Sequence, residues 1–227
     1  MPSTVVHVGF GLLLAGALYR GRFDRRFLAV LLAVAVLTDL DVFAGFLFRG
    51  AHRALGHTLL VPLAGAALLV YDTRVRPDSW LTARVGSHGV NAAWAVLFAH
   101  VFAYVLLDYA HYDGVNLFYP LFDQFYRLGG ELALSSTDGL VQTFVEFATA
   151  EEGGAAAEGV TVDVGSVGTT QDTHISNPVQ PTAETDPQPK QVERVAYVAV
   201  GGWQLYFAAT GLFVLLARRL QGERSDA

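Results

Sequence analysis

The chain has no cysteine in its 227 residues, one methionine, and a single lysine, Lys190, beside fourteen arginines. Without cysteine there is no disulfide framework and no thiolate metal site, so any bound metal must take histidine and carboxylate ligands. Charge is also scarce. Only 16% of residues are charged, and these cluster between long apolar runs in a chain that is 52% hydrophobic with a mean hydropathy of +0.37. That pattern excludes a soluble protein and predicts an all-α, polytopic membrane helical bundle whose first partner is the lipid bilayer. No basic patch stands clear of the membrane flanks, which excludes nucleic acid as a partner. An acidic balance of −6 with little lysine and much Ala, Val and Gly suits a halophilic source.

Five apolar runs can be marked: 5–19, 27–48, 55–71, 90–107 and 196–217. A spanning helix needs about 20 residues, so about five spans are expected, or four with a re-entrant segment. The first run lacks a basic leader and carries a histidine, and it reads as a retained span rather than a cleaved signal. Arginines 20, 22, 25 and 26, then 74, 76 and 84, then 218, 219 and 224 fall on one side of an alternating five-span chain. That side is cytoplasmic by the positive-inside rule, against which Arg49 and Arg53 count. The N-terminus is then outside and the C-terminus cytoplasmic in a multi-pass cell-membrane protein. Three regions follow: a membrane-embedded core (1–128), an external insert (129–195), and a final span with its tail (196–227). The aromatic stretch 109–150 reads as interfacial helices, including an amphipathic helix with Leu140, Val141, Phe144, Val145 and Ala148 on one stripe after an N-cap at Ser136 or Thr137. Beyond it lies an acidic, low-complexity insert, partly disordered, with one strand-like piece (VTVDVGSV). It reads as solvated and remote from any chemistry.

Ionisable side chains inside spans are costly and are candidates for function. Run two places Asp39 and Asp41 near its outer end, and His52 and His57 open run three. Run four delivers Asp108, with His111 just beyond, and run one starts with His7. Four segments therefore bring histidine or aspartate to one membrane face. His100, Tyr104, Asp108 and His111 follow at +4, +4 and +3, one stripe on a helix. His100 and Tyr104 then support the ligands from below, or simply bond across helices. Asp39 and Asp41 point about 160° apart on an unbroken helix. Both can ligate only if the helix changes winding there; otherwise one ligates and the other orients a histidine or Arg53.

Imidazole and carboxylate without thiolate suit a divalent metal ion, zinc above all, or Mn²⁺ or Fe²⁺. Three protein ligands and an open position hold a water and lower its pKa towards about 7. Arg53 is placed to bind an anionic oxygen such as phosphate, or to contact a lipid headgroup or pair with Asp39 or Asp41.

The order VVHVGFG, DLD, HRALGHT and then LLDYAHYDGVNLFYPL resembles the YdjM-like family of membrane-bound metal-dependent hydrolases. The likeness covers about residues 4 to 122 and leaves 130–195 outside it. Matched position by position, it implies His7, Asp39, Asp41, His52, Arg53, His57 and Asp108 as site residues. Where that family usually has a histidine four residues before the aspartate, this chain has Tyr104, with His100 and His111 as the nearest substitutes.

Two functions of different class follow. In the first, the protein is a membrane-bound metal-dependent hydrolase with an outward-facing site, acting on a lipid or lipid-linked phosphoester or another small molecule. His7, His52, His57 and one or more of Asp39, Asp41 and Asp108 hold the metal. A remaining carboxylate of Asp39 or Asp41 acts as base, and Arg53 binds the anion. In the second, it is a non-enzymatic metal-binding, transport or structural membrane protein. The inner halves of runs one to three are almost bare of polar residues, which favours a surface site over a transport pathway.

Overall fold

The computed structural model describes residues 3–46, 50–111, 114–130, 132–137, 139–149, 160–163, 165–171, 198–199 and 201–224. Most of these are helical, and every apolar run contains a helix. In order these are α1 (Thr4–Leu18), α2 (Arg25–Asp39), α3 (Leu60–Val70), α4 (Trp80–Ala99) with its short continuation α5 (Leu106–Tyr109), and α6 (Gly202–Arg224). Among the described residues two continuous helical stretches, Arg25–Phe46 and Trp80–Tyr109, are long and apolar enough to cross a membrane; α1 is apolar but shorter.

Local chemistry sets the helix ends. The Asp24 carboxylate accepts from the Phe27 N–H at 2.8 Å and so starts α2. Ser79 does the same for α4, accepting from Thr82 N–H at 3.0 Å. α2 runs on into a tighter 3-10 segment, Leu40–Phe46. Between α4 and α5, residues His100–Val105 form a wider π-type turn that admits an extra residue into the helix. Gly86 interrupts α4 with φ 68°, a conformation that a side chain would disfavour.

Small residues fill the helix crossings of the core, while Leu12, Tyr19, Phe23, Phe27 and Leu28 pack around them. Ala15, Ala35, Ala95, Ala99 and Ala103 are fully or almost fully buried with Leu31, where α1, α2 and α4 cross. α1 and α6 approach so closely that a Cβ on Gly211 would stand 1.9 Å from the Gly9 carbonyl oxygen. Small residues let helix backbones meet in this way where lipid gives no hydrophobic drive to association. Many other large apolar side chains point outward, with Leu68 and Phe213 about 70% exposed.

The all-α expectation is corrected: the described residues after α5 form three two-stranded antiparallel sheets. β2 (Leu132–Ser135) pairs with β3 (Gly139–Gln142), β4 (Glu146–Thr149) with β5 (Val160–Asp163), and β1 (Phe125–Tyr126) with β6 (Ser166–Gly168). The amphipathic helix expected over 140–148 is therefore two strands. Gly139 has φ 71°, and the proposed N-cap residues form a turn in which Thr137 N–H donates to Ser135 Oγ at 3.1 Å. A short helical stripe and two short strands joined by a loop share the same apolar spacing, and β-branched and aromatic residues tip the balance to strands. The aromatic stretch 117–127 likewise forms turns and β1 rather than interfacial helices. The strand-like piece at 160–167 does pair, but β6 packs on β1 beside the bundle rather than standing apart from it. The low-complexity remainder of the insert lies outside the described residues.

Candidate functional site

Four pieces of chain converge at one end of the bundle: the start of α1, the junction of α2 with its 3-10 extension, the loop 50–59, and α5. His7 is fully buried on the first turns of α1, and Thr4, one turn earlier, donates its hydroxyl to Asp39 Oδ2. Asp39 and Asp41 straddle the change from α to 3-10 winding. Tighter winding alters the angle between their side chains, and the two reach opposite nitrogens of the same ring. Asp41 Oδ2 lies 2.9 Å from His57 Nδ1, and Asp39 Oδ1 lies 3.7 Å from His57 Nε2.

Asp41 is an organising carboxylate. It also meets His52 Nδ1 at 2.9 Å and accepts from the backbone N–H groups of Arg53 (2.9 Å) and Gly56 (3.2 Å). One buried anion thus fixes the loop and orients two imidazoles, as carboxylates do behind ligating histidines. Gly56 is required here because a Cβ would meet the Thr38 carbonyl oxygen at 2.0 Å.

Arg53 is fully buried and is the only described non-glycine residue with a positive φ, 63°. Such a conformation persists when surrounding contacts over-determine it. Its N–H is held by Asp41, its carbonyl accepts from Asn116 N–H at 2.9 Å, and its NH1 donates to the Gly114 carbonyl at 3.1 Å. Its Nε stands 3.7 Å from Asp108 Oδ2.

Asp108 sits at the centre. Its Oδ2 is 3.0 Å from His57 Nε2, and its Oδ1 is 3.4 Å from His7 Nε2, while His7 Nδ1 is 3.5 Å from Asp39 Oδ1. None of these close approaches has hydrogen-bond geometry. His7 Nδ1 and Nε2, His57 Nε2, Asp39 Oδ1 and both Asp108 oxygens are buried without a hydrogen-bond partner. The imidazoles and carboxylates stand within ion-pair distance of one another, and among the described residues no group of three His, Asp or Glu side chains is preset as a metal-holding set.

The structure thus brings together His7, Asp39, Asp41, His52, Arg53, His57 and Asp108. His52 meets the cluster through Asp41, and its Nε2 is buried without a hydrogen-bond partner. Tyr104 is buried edge-on to His7, with ring centroids 5.9 Å apart, and its hydroxyl donates to the Leu31 carbonyl at 3.2 Å. His100 lies one turn deeper, 6.2 Å from the Tyr104 ring. His111 is buried just past α5. Sequence reasoning passed over Thr4, Gly56 and Gly114. Thr4 was detectable, because its spacing of three from His7 puts both on one helix face. The other two act through their backbones and leave no side-chain signal.

The sequence pattern of a family described as YdjM inner membrane protein matches residues 1–168. The match extends past the motif-bearing residues 4–122, so β1 to β6 belong to the family region, contrary to the expectation that 130–195 lies outside it. No curated protein and no solved structure matches the chain.

Proposed function

Because the chain belongs to the YdjM inner membrane protein family, we propose that it is a multi-pass membrane hydrolase that uses a divalent metal ion, with zinc the best candidate and manganese or iron the others, at the His7–Asp39–His57–Asp108 cluster. The arginine distribution supports five crossings, an external N-terminus and a cytoplasmic C-terminus, so the cluster faces outward.

One observation carries the metal reading: the buried, unbonded nitrogens and oxygens of these four residues stand 3.0 to 3.7 Å apart. Tetrahedral ligands bonded to zinc at about 2.0–2.2 Å lie about 3.3–3.6 Å from one another. In this reading His7, His57 and Asp108 hold the ion, which supplies Lewis acidity and an activated water. Asp41 holds His57 with Nε2 aimed at the centre and keeps His52 alongside. Asp39 has 15% of its side chain exposed against 0% for Asp108, so it is the carboxylate that can pass a proton to solvent as general base. Arg53, fixed beside Asp108, presents its charge to an anionic group such as a phosphoester.

A second reading, a structural lock, draws on the same pairs: each imidazole faces a carboxylate, and no metal-holding set is preformed among the described residues. Metal analysis of the purified full chain separates the two. The hydrolase reading expects bound metal in the wild type and its loss in His57→Ala and Asp108→Ala. Equal metal content in all three would remove it and leave the lock.

A further inference from the structure

We infer that Asp123 is a positioning residue for Arg53: through Asn116 it fastens the β1–β6 pair and Thr170 to the backbone that holds the Arg53 side chain beside Asp108. Residues 165–171 of the insert are thereby part of the frame of the site. The inference concerns how Arg53 is placed and stands with or without a bound metal.

Arg53 has φ 63° and is fully buried, a conformation that its neighbours must hold. Two of the bonds that hold it go to one short segment. The Arg53 carbonyl accepts from Asn116 N–H at 2.9 Å, and NH1 donates to the Gly114 carbonyl at 3.1 Å. The next carbonyl along, that of Leu117, accepts from Leu59 N–H at 2.8 Å and from the Thr58 hydroxyl at 3.1 Å. On the other edge of this segment, Val115 exchanges both backbone hydrogen bonds with Tyr126 of β1, at 2.9 and 3.0 Å. β1 in turn pairs with β6. The insert is thus joined to the Arg53 loop by one continuous hydrogen-bonded layer.

Asp123 fastens that layer with side chains. Its Oδ1 accepts from Asn116 Nδ2 at 2.8 Å and from Thr170 N–H at 3.1 Å, and its Oδ2 accepts from Thr170 Oγ1 at 2.6 Å. Asn116 is fully buried and its Oδ1 has no hydrogen-bond partner, so Asp123 is what orients the amide. Packing closes the same joint. A Cβ at Gly114 would stand 2.6 Å from the Tyr126 carbonyl oxygen and 3.2 Å from Val167 Cγ2, and one at Gly50 would stand 2.4 Å from the Thr170 carbonyl oxygen. Removing the Asp123 carboxylate strands a buried amide donor beside Arg53, and fewer contacts then oppose relaxation of its φ.

The test reads the labelling of Arg53 by phenylglyoxal, mapped by mass spectrometry on the full chain in phospholipid vesicles, with the exposed Arg74 as internal reference. In the wild type Arg53 should be protected. Asp123→Ala should raise its labelling by roughly tenfold, the effect of losing about one hydrogen bond to a charged group. Asp123→Asn should stay near wild type: Oδ1 still accepts both N–H groups, and the new amide donates to Thr170 Oγ1, whose hydroxyl serves as donor or acceptor. Asn116→Asp sets two carboxylates face to face and should expose Arg53; adding Asp123→Asn should restore most of the protection. Gln142→Ala, which removes a bond to the Val145 carbonyl elsewhere in the insert, should change nothing. Arg53 as protected in Asp123→Ala as in wild type overturns the inference. So does labelling of Asp123→Asn or Gln142→Ala equal to that of Asp123→Ala, which would mean general loosening. Should Asp123→Ala fail to fold, the Asn116→Asp pair decides, and no recovery in the double variant overturns the link. Metal content measured on the same samples keeps the outcomes apart: metal-free protein that follows this pattern supports the positioning role while removing the hydrolase.

Discussion

Replacing Asp41 by alanine should loosen the whole loop 50–59. The carboxylate has four polar partners: two imidazole nitrogens at 2.9 Å and two backbone N–H groups at 2.9 and 3.2 Å. Hydrogen bonds to a charged group contribute about 1.5–3 kcal/mol each, but such terms are not additive. Deleting one member of a buried charged set, which strands its partners, costs about 3–5 kcal/mol. For a chain of this size about 1 kcal/mol moves the melting midpoint by about 2–4 °C, so Asp41→Ala should melt about 6–20 °C below wild type. Asp41→Asn keeps the shape but turns an amide donor towards at least one donor, and should fall between the two. Thermal unfolding in detergent, followed by circular dichroism at 222 nm, reads both. If the ion is held as proposed, loss of a carboxylate behind a ligating histidine should also weaken metal affinity by about 10–100-fold. An Asp41→Ala protein melting within about 2 °C of wild type would refute the reasoning, because the loop would then be held by something other than this anion.

Two further outcomes are expected. Asp72 lies between α3 and α4, where hydrogen bonds from Ser79 and then from the Leu81 and Trp80 amides outweigh partial desolvation and hold its carboxyl below the ordinary carboxylate range. A depressed folded value means that the stabilisation is full above the unfolded carboxyl pKa and is lost as pH falls through the folded one. Amide-exchange protection of Trp80 and Leu81 should therefore drop in acid in the wild type and be low and flat with pH in Asp72→Asn; a wild-type profile unchanged by the substitution would contradict this. For orientation, the chain has no native cysteine, so Ser136→Cys and Asp78→Cys can be labelled singly. An impermeant maleimide should reach the first in intact cells and the second only after lysis, and the opposite result would invert the topology.

The apolar runs made the helices legible, because lipid removes the alternation that complicates soluble sequences. The polar cluster was legible for the same reason: Asp39, Asp41 and Asp108 are conspicuous beside long apolar stretches. What stayed hidden was winding. The change to a 3-10 segment after Asp39 lets two aspartates clasp one imidazole, and the π-type turn at His100–Val105 upsets a stripe drawn at a constant angle per residue. Neither leaves a composition signal. The region after α5 misled because its stripe from Leu140 to Ala148 fits either a helix or two strands, and the decision rests on a glycine turn rather than on period. The division of labour between Asp39 and Asp41 needed coordinates as well, since spacing alone allowed either to be the orienting group.

The wide turn before α5 has a consequence for how this protein tolerates change in length. Removing one residue between His100 and Val105 would let the backbone settle into ordinary helical winding, so the deletion should be well borne by the fold itself. All that follows would stay close to its present orientation, because the wide turn already absorbs the extra residue; the same deletion made in the ordinary helix between Ala92 and Ala99 would swivel Asp108 by about 100°, off the axis of His7 and His57. Only the second deletion should part Asp108 from His7 and His57, which makes the winding of this segment, more than the side chains that fill it, the quantity on which the cluster depends.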